Sequence, residues 1–290
     1  MDFELSADQV ALRDGIRSLC EGRFPIKRVR DGFDRSAHAE LAESGVFSLR
    51  ADGFGVADAA VVFEELGRAV VPGPLVWLYL ANGLVDGVVG GLEVARRRPP
   101  WMVEHLDVLE TLLVVDDDGV QSVAAGKVAG ALPVGEPVGD ADVVRRWRLE
   151  GAVVTSAFLV GIAEACTELS VAYAKERRQF DRPIGSFQAV KHLLADMLVR
   201  AEVARASVHA AACTLDDPDV GDVARSVAGA KVLAGEAAIT NGKTATQVHG
   251  GMGFTWEVDV HLYLKRAWVL DTVLGSVDDH ADAVAATIPG

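Results

Sequence analysis

Glu176-Arg177-Arg178-Gln179-Phe180-Asp181-Arg182-Pro183-Ile184-Gly185, followed by Phe187-Gln188 and Lys191, is the stretch on which the reading of this chain turns. Upstream, Leu159, Ile162, Cys166, Leu169 and Tyr173 recur at helical spacing over four turns, so a helix runs into it. Pro183 and Gly185 force a turn, and the next helix begins near Ser186. In such a corner a guanidinium can clamp a phosphate through two parallel hydrogen bonds. Gln179 and Gln188 offer amide donors, and Phe180 offers a face for a flat ring. The competing reading takes the arginines as solvated charges at a helix C-terminus, where the macrodipole favours them.

Working outward, Leu194, Met197, Leu198 and Ala201 mark one face of a helix from about Phe187 to Leu215. An alanine-rich helix follows from about Asp219 to His249, and a last one from Val258 to about Ala285 turns Val269, Leu270, Val273, Leu274 and Val277 inward. Four long helices joined by short connections predict a four-helix bundle over 151–290. At the end of the third lies Gln247-Val248-His249-Gly250-Gly251-Met252-Gly253-Phe254. Its glycines let a backbone approach a ligand and let peptide N–H groups cradle an oxyanion, although a glycine-rich C-cap reads the same way. No strand precedes it, so it is not a dinucleotide fingerprint of the strand-turn-helix kind.

The first 100 residues predict a helical N-terminal domain. Ser6 and Gln9 form a capping box ahead of Val10, Leu12, Ile16 and Leu19, and further helices are expected over Ser36–Ser44, Val56–Gly67 and Pro74–Val89. Between 101 and 150, Thr111–Val115 and Val120–Ala124 flank a turn at Asp116–Gly119 and predict a small β module. The formal charge of −14 argues against general affinity for nucleic acid or an anionic membrane. Cys20, Cys166 and Cys213 suggest neither a disulfide framework nor zinc. With no basic-then-apolar leader, the expectation is a cytoplasmic protein. The apolar stretch 69–94, broken by Pro72, Pro74, Asn82 and Asp86, reads as buried helix rather than a membrane span. His105, His209 and His280 show no metal-ligand spacing, and His192 is expected to pack within the bundle.

Together, in this order and on these helices, the two segments resemble the C-terminal domain of acyl-CoA dehydrogenases, and Met1-Asp2-Phe3-Glu4-Leu5-Ser6 is similar to the family's N-terminal helix. The resemblance implies a mainly α fold with a helical N-terminal domain, a reduced middle β module and a C-terminal four-helix bundle. It also implies FAD at a subunit interface. Family members remove the α and β hydrogens of an acyl-CoA thioester with a glutamate as base. The residues matching Arg177, Gln179, Phe180, Gln188, Gln247, Gly250 and Gly251 contact the flavin nucleotide of the neighbouring subunit.

The half of the site that a subunit supplies to its own flavin is missing. No Thr-Glu-Pro-Gly-like segment lies between Trp101 and Glu150, in a β module about half the family's length. Counting along an uninterrupted last helix from Arg266 puts Gly275 where the family carries its base, and glycine cannot accept a proton. Some relatives place the base on the first bundle helix, where the count gives Gly151, with Glu150 beside it as a candidate relocated base against the plainer reading of a helix-start carboxylate.

The resemblance is therefore to the short, non-catalytic type of subunit that pairs with full-length ones in actinobacterial steroid side-chain degradation. It implies an α2β2 partner carrying the glutamate, an acyl-CoA substrate and an electron-transferring flavoprotein as acceptor. Two alternatives stand beside it: a homo-oligomeric flavoprotein of the same fold with altered chemistry such as monooxygenation, and a flavin-free acyl-CoA-binding scaffold.

Overall fold

The computed structural model describes residues 5–94, 102–128 and 135–288. The chain opens with α1 (Ala7–Arg23), whose capping box forms as expected: Gln9 N–H donates to Ser6 Oγ and Ser6 N–H to Gln9 Oε1. Four shorter helices follow, α2 (Ile26–Arg30), α3 (Arg35–Glu43), α4 (Val56–Arg68) and α5 (Leu75–Ala81). The helix expected over 74–89 stops at Ala81, and Val89–Glu93 instead forms strand β1. Its stop lies in the chain itself, because Asn82, Gly83 and Gly87 carry a turn in which both glycines have positive φ.

Strands β2 (Thr111–Val115) and β3 (Gly119–Ala124) form the expected hairpin, its turn closed by Asp116 Oδ1 accepting from the N–H groups of Asp118 and Gly119 at 2.9 Å. Two strands of this sheet were not foreseen. The sheet runs β1-β2-β3-β4, with β1 parallel to β2 and β4 (Glu136–Asp140) antiparallel to β3.

The bundle consists of α6 (Ala141–Glu176), α7 (Gln188–Asp216), α8 (Val223–His249), and α9 (Val260–Asp271) with α10 (Val277–Ala285). Helix α6 starts ten residues before the expected Gly151. Asp140 caps it by accepting from Asp142 and Val143 N–H, while Val144 and Trp147 are already buried. Among the described residues α6 alone is long and apolar enough to cross a membrane, but 89% of that window is buried inside the fold, so it is the core helix.

Helix α4 crosses α6 at paired glycines. A Cβ on Gly67 would lie 2.0 Å from the Phe158 carbonyl oxygen, and one on Gly161 would lie 1.9 Å from that of Glu64. Only hydrogen fits at either position, and this contact sets how closely the N-terminal helices sit on the bundle. Asn241, fully buried, pins three bundle helices: its amide donates to the carbonyls of Ala163 and Met197 and to Thr167 Oγ1, and its oxygen accepts from Arg200 Nε at 2.9 Å. Leu198, expected inside, is 54% exposed, and His192 faces solvent beside Gln188 rather than packing within the bundle.

The last helix is not continuous. It breaks after Asp271, with Leu274 and Gly275 both at positive φ, and restarts from a capping box of Ser276 and Asp279. The fully buried Lys231 holds the break, its Nζ donating to the carbonyl oxygens of Asp271 at 2.9 Å and Gly275 at 2.7 Å.

Candidate functional site

Between α6 and α7 the quoted stretch folds as a tight hairpin. Arg178–Gln179 (β5) pairs with Arg182–Pro183 (β6). The two tip residues, Phe180 and Asp181, have φ of 52° and 61°, as a two-residue hairpin turn of the right twist requires. The tip holds Phe180 out at 86% exposure. Arg182 lies 4.0 Å above the ring of Phe187, and the two phenylalanine rings meet edge to face with centroids 6.1 Å apart.

Across from this hairpin, α8 ends at His249 and Gly250 turns the chain with φ 63°. The two segments, more than sixty residues apart in sequence, enclose an open cavity of about 410 Å³ lined by Tyr173, Arg177, Gln179, Ile184, Val248, His249, Gly250, Gly251 and Met252. Of the seven nucleotide-contact candidates, Arg177, Gln179, Gly250 and Gly251 meet on this cavity. Phe180 stands at the hairpin tip, Gln188 pairs with His192 at 3.1 Å, and Gln247 is exposed on the last turn of α8, none of them in its lining.

The arrangement suits an anion with an adjoining flat group. The Arg177 guanidinium has no carboxylate partner among the described residues, and a Cβ on Gly250 or Gly251 would meet nothing within 4 Å, so backbone is open to a ligand there. His249 Nδ1 lies 2.8 Å from the Ala245 carbonyl, which can only accept, so Nδ1 carries the proton and Nε2 is left as an acceptor. Burial lowers the His249 pKa against the opposing pull of that carbonyl, favouring the neutral ring. His249 is thus the helix-end hydrogen-bonding group that its position beside the glycines suggests. Tyr173 as a wall of this cavity was not foreseen. The available signal was its place one turn before Arg177 on the same helix.

The sequence count to Gly275 took the last helix as unbroken; the helix breaks after Asp271, and Gly275 is a backbone corner whose carbonyl is taken by Lys231. Leu274 beside it is 1% exposed. A Cβ on Gly151 would lie 2.0 Å from Leu274 Cδ1 and 2.9 Å from Leu80 Cδ1. The cleft beside Leu274, lined also by Trp77, Gly91, Glu93, Glu104 and Val273, holds only about 40 Å³, room for a water or two. Glu150 is bound to Arg50 at 2.7 Å, with Arg146 3.8 Å away. Burial raises its pKa while those arginines pull it back. Arg266 is bonded within the chain, to Glu104 and to the Gly73 carbonyl.

A larger cavity, about 510 Å³, lies between α1, α4, α6 and α7, but its charges are interlocked. Arg17 pairs with Glu65, Arg205 with Glu64 and Glu164, and Arg68 with Glu168, leaving a compensated seam.

Residues 147–288 match the model of the acyl-CoA dehydrogenase C-terminal domain. Acyl-CoA dehydrogenase IpdE2 of Mycobacterium tuberculosis is 37% identical over 73% of this chain and 71% of its own, and that of Mycolicibacterium smegmatis is 34% identical over 93% and 96%. This chain belongs to the acyl-CoA dehydrogenase family. Among solved structures, the ChsE4-ChsE5 complex from Mycobacterium tuberculosis superposes with a TM-score of 0.84 at 24% identity over the full length of both chains. A steroid acyl-CoA dehydrogenase variant, Tcur3481-Tcur3483, superposes at 0.80 with 20% identity over 96% of this chain and 97% of that one. At these identities the likeness concerns the fold.

FAD is the cofactor implied by the acyl-CoA dehydrogenase family, and Arg177, Gln179 and the open backbone of Gly250 and Gly251 suit its nucleotide end.

Proposed function

We infer that this chain is a non-catalytic subunit of a heteromeric acyl-CoA dehydrogenase. It grips the nucleotide end of an FAD whose ring, together with the catalytic glutamate, belongs to a full-length partner subunit in an α2β2 assembly. The observation that carries this reading is the asymmetry between a roomy cationic cavity at Arg177 and a cleft filled by Leu274. FAD, when bound, supplies the hydride acceptor for α,β-desaturation of the acyl-CoA. This chain contributes fixation: Arg177 neutralises phosphate charge, the Gly250-Gly251 backbone approaches it, and Gln179 offers an amide. Glu150, the candidate relocated base, is held by Arg50. A steroid side-chain CoA ester is the favoured substrate class, in keeping with the steroid enzyme among the structural neighbours. Electron-transferring flavoprotein would reoxidise the complex.

The test is the absorbance spectrum of this protein purified alone and then with the product of an adjacent open reading frame. The chain alone should be colourless and the pair yellow, with acyl-CoA bleaching the flavin. A yellow, acyl-CoA-reducible preparation of this chain by itself would instead support the homo-oligomeric alternative. A pair that assembles without flavin would support the scaffold.

A further inference from the structure

His38 is 5% exposed, yet only one of its ring nitrogens has a hydrogen-bond partner among the described residues. Nε2 lies 3.0 Å from the Pro72 carbonyl oxygen, which can only accept, so Nε2 carries the proton and Nδ1 is an acceptor. Burial pushes the pKa down to about 4, which keeps the ring neutral and that lone pair available. The surroundings are shaped to an imidazole. A Cβ on Gly73 would lie 2.3 Å from Nε2, and the ring packs on those of Phe33 and Phe47 with centroids 4.4 and 6.0 Å away. A buried acceptor without a donor is costly, so Nδ1 calls for one.

The ring forms part of the wall of a cavity of about 390 Å³ between α3, α5 and the turn that leads into β1. That is room for a small organic ligand. The cavity shares no lining residue with the Arg177 cavity or the Leu274 cleft. Phe47, Leu78, Val85 and Val88 give it an apolar wall. Charge at the rim argues against an ion. The one lining arginine, Arg35, is paired with Glu110 and donates to the Val108 carbonyl, and Asp86 adds a negative charge, so an anion finds its cation already neutralised. A cation would shed its hydration against the apolar wall, while the Asp86 carboxylate is exposed to water and screened. What fits is a neutral molecule with an apolar body and one hydrogen-bond donor.

We propose that this cavity is a binding site for a neutral, hydroxylated apolar molecule of about the size of a bicyclic phenol. Its O–H donates to His38 Nδ1 and its hydrocarbon body rests on Phe47, Leu78, Val85 and Val88. Trp77, the neighbour of Leu78 on α5, lines the Leu274 cleft, so the two spaces have one helix in common. The site is independent of the shared-flavin reading and would survive its failure.

The experiment is equilibrium dialysis of the purified full-length chain against 2-naphthol and against naphthalene, which has the same body without the donor. 2-Naphthol should bind saturably at one per chain, and naphthalene roughly 3- to 10-fold more weakly, as loss of one hydrogen bond predicts. Ala39→Trp, which fills the cavity from an exposed position on α3, should abolish binding while the thermal midpoint stays as in wild type. Should that variant fail to fold, Ala42→Trp, one turn along the same lining and also exposed, gives the same reading. No saturable binding up to the solubility limit of 2-naphthol overturns the proposal and leaves water as the donor to Nδ1. Binding that survives a folded tryptophan variant puts the ligand elsewhere and overturns it too. Naphthalene held as tightly as 2-naphthol removes His38 as the recognising group, and with it the class of ligand proposed.

Discussion

The ring of Tyr173 lies on the ring of His249, centroids 4.2 Å apart and planes 26° from parallel. This contact joins the last turn of α6 to the last turn of α8, and so ties the turn bearing Arg177 to the one bearing Gly250. Arg177 N–H donates to the Tyr173 carbonyl at 2.8 Å, so backbone and ring of one residue hold both walls of the cavity. Removing the ring should loosen the glycine turn. Tyr173→Ala is expected to speed hydrogen exchange over residues 250–254 severalfold, matching loss of a contact worth about 1 kcal/mol. Tyr173→Phe should leave exchange there unchanged.

Arg177 offers the sharpest probe of the nucleotide cavity. Its guanidinium is exposed and has no carboxylate to release, so Arg177→Ala should not harm folding. Loss of a charge-assisted contact of about 1.5–3 kcal/mol predicts roughly 10- to 100-fold weaker FAD retention by the complex, measured by flavin release on dilution. Arg177→Lys should fall between the two, because an ammonium cannot form the paired fork.

The crossing of α4 and α6 leaves no room for a methyl group. Gly161→Ala would press Cβ against the Glu64 carbonyl oxygen and, at 2.6 Å, the Arg68 nitrogen; both are backbone and cannot swing aside. A loss of about 3 kcal/mol or more is expected, seen as a lower urea midpoint. Gly229→Ala, on α8 where a Cβ meets nothing within 4 Å, should be neutral or slightly stabilising.

His38 sets a pH dependence. Burial pushes its pKa down to about 4 from 6.5, outweighing its bond to the Pro72 carbonyl. A depressed folded pKa means the contribution to stability is complete above the unfolded value and is lost as pH falls towards the folded one. Stability should therefore drop between about pH 6.5 and 4, by on the order of 3 kcal/mol if this group acted alone. His38→Gln, which can still donate to Pro72, should flatten that part of the curve. A wild-type midpoint that does not move over this window would refute the assignment.

Much of this architecture was legible because it is local. The Ser6–Gln9 cap, the Asp116 turn and the faces of α6 and α8 are each written within a few residues, and the hairpin and helices agree with them. What escaped depends on distant partners. Strand β1 forms because β2 accepts it in parallel register, a pairing no local pattern announces. Leu198 belongs to a helical stripe that includes buried Met197 and Ala201, yet it faces out. The break after Asp271 had a local sign, Ser276 three residues before Asp279, but a lysine 40 residues earlier completes it. At the site, chemistry and order in the chain picked out Arg177 and the glycines, while the wall made by Tyr173 required the fold.

The corner at Leu274 and Gly275 limits what the chain could carry there. Placing a glutamate at 274 would put a carboxylate against Leu80 and Gly151, and placing one at 275 would strain a positive-φ corner whose carbonyl Lys231 already holds. No single substitution installs a carboxylate at this corner: cleft, turn and lysine would all have to change together.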